Sequence, residues 1–190
     1  MQLGNDIWGW SATRTSDGVT REFGLIGQFD GTAFVEVLPT GQIAYLGRLP
    51  PQSGTAIWRD IKVIGEHAYI GSEAFGHGIQ VFDLKCVRLK ALMLLDLSLL
   101  KSPKEFNIDT DLTAWYYDGL PRGSSHNLVS HAEKNLIIAV GAKPRSDISG
   151  LILIDVADPS NPKTVGCTGE VDYVHEYAAS RYAYIIAAMH

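Results

Sequence analysis

A seven-residue pattern recurs along this chain and restricts its fold more than any other feature. Gly31-Thr-Ala-Phe-Val-Glu-Val37, Gly78-Ile-Gln-Val-Phe-Asp-Leu84 and Gly150-Leu-Ile-Leu-Ile-Asp-Val156 each open on glycine and run apolar or alternate for about five residues. Each then sets an acid before a last aliphatic. β-Branched and aromatic residues between turn signals are strand chemistry. A turn and a further short strand follow two of the three: Pro39-Thr-Gly41 leads to Ala44–Gly47, and Asp158-Pro-Ser-Asn-Pro162 leads to Lys163–Cys167. Proline, glycine, Asx and serine supply the dihedrals and local hydrogen bonds of such turns.

Upstream of the glycine strands a second pair of strands recurs. Asp60–Ile64 precedes Ala68–Ser72, and His126–Ser130 precedes Leu136–Val140. Asp6–Trp10 leads to Glu22–Gly27, and His175–Ala179 leads to Tyr182–Ile186. The unit is therefore four short strands, and it starts four times. Repeated four-stranded antiparallel units are the signature of propeller blades. An open β-sandwich of similar strand count is the alternative, but it does not explain the repeated order of strands and turns.

The expectation is a single all-β domain over residues 1–190, an incomplete β-propeller of about three and a half blades. Blade 1 spans about 5–49, blade 2 about 58–84, blade 3 about 124–169, and a partial blade 4 about 173–190, with a helical or irregular insert at 85–123. A ring with only these blades would leave apolar faces and strand edges uncovered, so the pattern predicts a truncated chain. Within the insert, leucine-rich Val87–Leu100 lacks strand alternation and predicts a helix. The stretch through Trp115-Tyr-Tyr-Asp-Gly-Leu-Pro121 reads as an ordered surface loop.

Composition excludes several classes. Hydrophobic residues make up 46% and charged residues 19%, so the chain is globular rather than disordered. A net charge of -5 without a Lys/Arg cluster gives no footprint for nucleic acid. No apolar run is long enough for a transmembrane segment: Leu89–Leu100 is short and carries Lys90 and Asp96. Met1-Gln-Leu-Gly4 has neither the basic region nor the apolar core of a secretory signal, which in a complete chain implies the cytoplasm. Cys86 and Cys167 show no metal-type spacing, and Cys167, after Thr164-Val-Gly166, reads as a small buried hydrophobe.

Several motifs in order resemble the choice-of-anchor B family, whose members carry LVIVD-type repeats and in fungi are often labelled regulatory P domain-containing proteins. They are Asn5–Trp10, Trp58–Val63, Ser72-Glu-Ala74 with Gly76–Leu84, Ser125-His-Asn127 and Val165-Gly-Cys167. The resemblance covers nearly the whole chain apart from Cys86 to about Leu100. It implies a β-propeller secreted or displayed in the extracellular region, and it implies no activity. Ala179 stands where the family pattern has a second cysteine, and Ile148-Ser149 stand where another is expected. A disulfide from Cys167 is therefore not implied here, while the absent signal sequence, the leucine-rich insert and the early stop fit a truncated or degraded member.

Blade strands run outward from a central channel, so residues opening the innermost strands are the ligand-binding candidates. These are Asp6, Asp60, His126 and His175, with Asn5, Arg59 and Asn127 beside them. Two carboxylates and two imidazoles on a channel suit a divalent metal cofactor or a polar ligand. The alternative is that each caps a strand or bridges blades through backbone bonds or water. Glu73 and His77 flank Gly76 in a turn of blade 2, as a ligand contact or as a hydrogen-bonded turn.

Asn107-x-Asp109-x-Asp111 with Asp118 departs from a calcium loop, having Leu112 for the invariant glycine and aspartate at the last position. Ser125 and His126 are adjacent, so in a strand they face opposite ways and cannot pair as nucleophile and base. No nucleophile elbow, zinc-protease helix, P-loop or dinucleotide fingerprint is present. Trp8, Trp10, Trp58 and Trp115 suit sugar stacking or the packing between sheets. The leading expectation is a non-enzymatic binding or scaffold module for a protein or glycan. The alternatives are a metal-dependent, hydrolase-like enzyme at Asp6, Asp60, His126 and His175, or a non-functional truncated product.

Overall fold

The structure is a computed structural model that describes residues 4–13, 18–93, 105–118, 120, 123–141, 151–167, 174–179 and 185–189. The side chains of residues 90, 92–93, 174–179 and 185–189 are excluded. It is an all-β fold built on three four-stranded antiparallel sheets and one short helix. Sheet 1 is the meander β1 (Gly4–Thr13), β2 (Thr20–Gln28), β3 (Gly31–Val37) and β4 (Ile43–Leu49). Sheet 2 runs β5 (Arg59–Ile64), β6 (His67–Ser72), β7 (Ile79–Asp83), then helix α1 (Lys85–Met93), then β8 (Leu112–Tyr116). Sheet 3 holds β9 (Asn127–His131), β10 (Leu136–Val140), β11 (Ile152–Asp155) and β12 (Lys163–Cys167), while β13 (Val174–Ala179) and β14 (Ile185–Met189) pair alone.

The sequence repeat has a physical cause at each of its fixed positions. A Cβ at Gly31 would lie 2.3 Å from the Leu49 carbonyl oxygen, and one at Gly78 2.4 Å from that of Tyr116. Both glycines have positive φ, so the outer strand closes onto the third strand only over glycine. Three residues further on, at Phe34, Val81 and Leu153, each sheet shows a register shift between its third and fourth strands. A bulge at the same step raises the local twist of all three sheets. The acid that ends the motif caps the next turn in two sheets: Asp83 Oδ1 accepts from the Lys85 N–H and Asp155 Oδ1 from the Ala157 N–H. In sheet 1 the buried Glu36 instead takes a two-pronged pair from Arg21, Nε to Oε1 at 2.6 Å and Nη2 to Oε2 at 2.8 Å.

Alternation along sheet 2 builds the core on both of its faces. Ile61, Ala68, Ile70 and Phe82 pack on Trp10, Phe23, Leu25 and Phe34 of sheet 1, joined by Phe106 and by Val87 and Ala91 of α1. The intervening side chains Tyr69, Ile79 and Val81 pack on Leu128, Ile137, Ala139 and Ile152 of sheet 3. Period-two placement thus makes one sheet the shared wall of two cores.

Three local expectations change. The stretch through Trp115 is not wholly a loop: Leu112–Tyr116 is the fourth strand of sheet 2, separated from β7 by α1 and the turn at Asn107–Asp111. Its β-branched and aromatic residues fit a strand, but the intervening helix conceals the unit. The expected helix at Val87–Leu100 begins two residues earlier, at Lys85, and its part beyond Met93 lies outside the described residues. Cys167 is exposed on β12, an edge strand exposed along most of its length, and neither cysteine is in a disulfide. No helix among the described residues is long and apolar enough to cross a membrane.

Candidate functional site

The first strands of the successive sheets, β1, β5, β9 and β13, neighbour one another in chain order. An acidic ladder joins the first three. Asp6 Oδ2 accepts the Ile61 N–H at 2.8 Å across the first seam. Asp60 Oδ2 accepts the Leu128 N–H across the second, while its Oδ1 takes the Ile61 N–H at 3.0 Å and Lys62 Nζ at 2.6 Å. Asn5 Nδ2 adds a bond to the Arg59 carbonyl at 3.2 Å. Lys62 Nζ also lies 3.8 Å from Asp6 Oδ2 and 4.8 Å from the centre of the Trp8 ring. Burial, reinforced by the Asp6 carboxyl, pushes Asp60 up to about 6 against the opposing pull of Lys62 and the Leu128 N–H.

These bonds shift the phase of the third unit by one residue. Asp6 and Asp60 each reach the N–H that follows the equivalent position on the next inner strand, Ile61 and Leu128. The equivalent of Asp6 and Asp60 is therefore Asn127, and His126 corresponds to Arg59. One residue along a strand reverses the face, so His126 leaves the acidic ladder.

His126 instead turns to the end of sheet 2 where Trp58, the 72–78 loop and the exit of β8 meet. Its Nδ1–H donates to Glu73 Oε1 at 2.5 Å, and its ring stands edge-on to Trp58 at 5.9 Å. The Trp58 carbonyl takes the Ser72 hydroxyl and the Glu73 N–H, both at 3.2 Å. On the other side of the loop, Trp115 Nε1–H donates to the His77 carbonyl at 2.7 Å, and Tyr117 packs beside Trp115 at 5.5 Å. Four aromatic rings stay open to solvent around this one loop: Trp58 46%, Phe75 74%, Trp115 47% and Tyr117 43% exposed.

Beneath that surface lies a buried pair, Arg59 and His77. Arg59 Nη1 donates to His77 Nε2 at 2.7 Å and Arg59 Nε to the Gln28 carbonyl at 3.1 Å. Arginine has only donors, so Nε2 accepts and the Nδ1–H goes to the Gly78 carbonyl at 3.0 Å. Burial, then the Arg59 charge, drives His77 down to about 3, so the imidazole is neutral at neutral pH. Burial also lowers Arg59 to about 10, which leaves it cationic.

The structure thus sorts the sequence candidates into three groups. Asp6 and Asp60 meet at the seam, His126 pairs with Glu73, and Arg59 pairs with His77. Asn127 opens β9, and His175 lies on β13 with its side chain outside the described residues. Among the described residues no three His, Cys, Asp or Glu side chains converge to hold a metal ion; the ammonium of Lys62 faces the two carboxylates. Ser125 Oγ lies toward Gly71 and the His126 ring toward Glu73. The Asn107 turn closes on itself through Asp109 N–H to Asn107 Oδ1 and Asn107 N–H to Asp111 Oδ2.

Sequence reasoning missed Lys62 as the partner of the ladder and Trp58, Phe75, Trp115 and Tyr117 as one surface. The repeated Asx-aliphatic step Asp6-Ile7, Asp60-Ile61, Asn127-Leu128 carried the signal for the correct phase. No protein-family model matches the chain, and no curated protein matches it.

Proposed function

We propose that this chain is a β-propeller binding module whose ligand, a protein or a glycan, docks at the end of sheet 2. The observation that carries the reading is the set of exposed aromatic residues, Trp58, Phe75, Trp115 and Tyr117, on and beside the 72–78 loop, with the Glu73–His126 pair next to Trp58. Exposed apolar area grouped at one place and rimmed by polar groups marks an interaction site. The propeller arrangement draws support from inner strands adjacent in chain order and from the shared bulge in each sheet. Both agree with the resemblance to the choice-of-anchor B family, and display outside the cell is what that resemblance implies.

The test is binding of the full chain to a panel of immobilised extracellular proteins and glycans, beside Trp58→Ala and Phe75→Ala. At least one ligand bound by the parent and weakened about tenfold in both variants is the expected result, the size of a well-packed aromatic contact. Equal binding by parent and variants across the panel overturns the placement of the site.

A further inference from the structure

We infer that the occupant of this surface is an uncharged saccharide, an inference that rests on the binding-module reading above. The first reason is how the rings are fixed. The Trp115 indole N–H is spent inward on the His77 carbonyl, so this residue offers the ligand ring surface and no donor. Trp58 is anchored through its carbonyl by Ser72 and Glu73 while its ring meets the edge of His126. Tyr117 passes so close to Gly123 that a Cβ there would lie 2.1 Å from the ring, and Gly123 has φ +62. A larger residue at 123 would displace Tyr117. The platform is therefore preorganised, which lowers the cost of binding a flexible hydroxylated ligand.

The second reason is the polar group beside Trp58. Glu73 gives one oxygen to His126, and its side chain is 27% exposed. Its second oxygen can take a ligand hydroxyl, as oriented acceptors between apolar walls do. The third reason is charge. The described side chains that form this surface include one carboxylate and no lysine or arginine, since Arg59 is fully buried below it. An anionic ligand would meet the Glu73 carboxylate there. A pyranose offers what the surface lacks: apolar C–H faces for open rings and neutral hydroxyls for a carboxylate oxygen.

The experiment titrates the full chain with a panel of neutral gluco-, manno-, galacto-, xylo- and chito-oligosaccharides, read by tryptophan fluorescence and saturation-transfer NMR. The same panel is run on Trp58→Ala, Trp115→Ala and Glu73→Gln. At least one oligosaccharide should perturb tryptophan emission and show transfer to its ring C–H protons. Its affinity should fall about tenfold in each tryptophan variant and about fivefold in Glu73→Gln, with circular dichroism unchanged. Folded protein that binds none of the panel at 10 mM overturns the saccharide. If that protein still binds an immobilised extracellular protein through Trp58, the binding-module reading survives alone; if it binds neither, both readings fail. Affinity for a sulfated or uronic oligosaccharide above that for its neutral parent also overturns the inference.

Discussion

The seam between the inner strands and the end of sheet 2 both bury charge, yet they treat it in opposite ways. At the seam, Asp60 is bonded by an ammonium and by two backbone N–H groups, one of them from the next sheet. At the end of sheet 2, the fully buried Arg59 is bonded by a neutral imidazole and a carbonyl, and its Nη2 has no hydrogen-bond partner among the described residues. A buried charge bonded to an opposite charge is destabilising mainly when that partner is removed; one held by neutral acceptors has no such partner to lose. The first arrangement joins sheets, and the second sets the loop that carries the open rings.

The largest expected effect follows from that contrast. Asp60→Ala strands the Lys62 ammonium and the Leu128 N–H, and should lower unfolding free energy by about 3–5 kcal/mol. Asp60→Asn keeps an acceptor for the N–H and should lose roughly half of that. Arg59→Met removes a charge along with its bonds, so the two terms offset and the loss should stay near 1–2 kcal/mol. Urea unfolding of the three variants ranks them. An Arg59→Met loss as large as that of Asp60→Ala would erase the distinction between the regions.

The two regions should also respond to acid with opposite signs. His77 is lowered in the fold to about 3, so below its ordinary value of 6.5 the unfolded chain takes the proton first. Its contribution to stability is present above about 6.5 and is lost as pH falls toward 3. Asp60 is raised from 3.8 to about 6, so the folded chain takes that proton first. Its contribution is present below about 4 and is lost as pH rises through 6. Denaturant midpoints between pH 7 and 4 should therefore fall less in His77→Gln than in the parent, and more in Asp60→Asn. The reverse order would assign acid sensitivity to the seam.

What the sequence discloses divides along the same line. The glycine, the apolar run and the acid of each unit are set by contacts inside one sheet, to Leu49 or Tyr116 and to the following turn, so they recur as a readable pattern. At the seam, Asp6 and Asp60 bridge strands through backbone N–H groups, the arrangement named as the alternative to a ligand site. Its phase is lost at the third unit because histidine was matched to aspartate by chemistry, whereas the buried aliphatic that follows, Ile61 or Leu128, marks the position. The surface at the end of sheet 2 is assembled from four segments far apart in the chain, around Trp58, Glu73, Trp115 and His126. Nothing in local spacing brings Glu73 to His126, and β8 was concealed behind α1. Residues that act within a sheet are legible; those that meet across sheets are legible only once the sheets are stacked.

The smallest effect is the most discriminating. If the Glu73–His126 pair serves the surface rather than the fold, its contribution to stability should be that of a partly exposed hydrogen-bonded pair. The side chains are 27% and 13% exposed, so solvent screens the interaction. A double-mutant cycle of Glu73→Gln and His126→Ala should then give a coupling of about 0.5–1 kcal/mol in urea unfolding. The corresponding cycle at the seam, Asp60→Asn with Lys62→Met, should give a larger coupling of about 2–3 kcal/mol, because both of its groups are nearly buried. Equal couplings would make Glu73 and His126 a strut between sheets 2 and 3. A small coupling beside a marked loss of ligand affinity in Glu73→Gln would leave the pair to the surface, where Trp58 already leans on the imidazole.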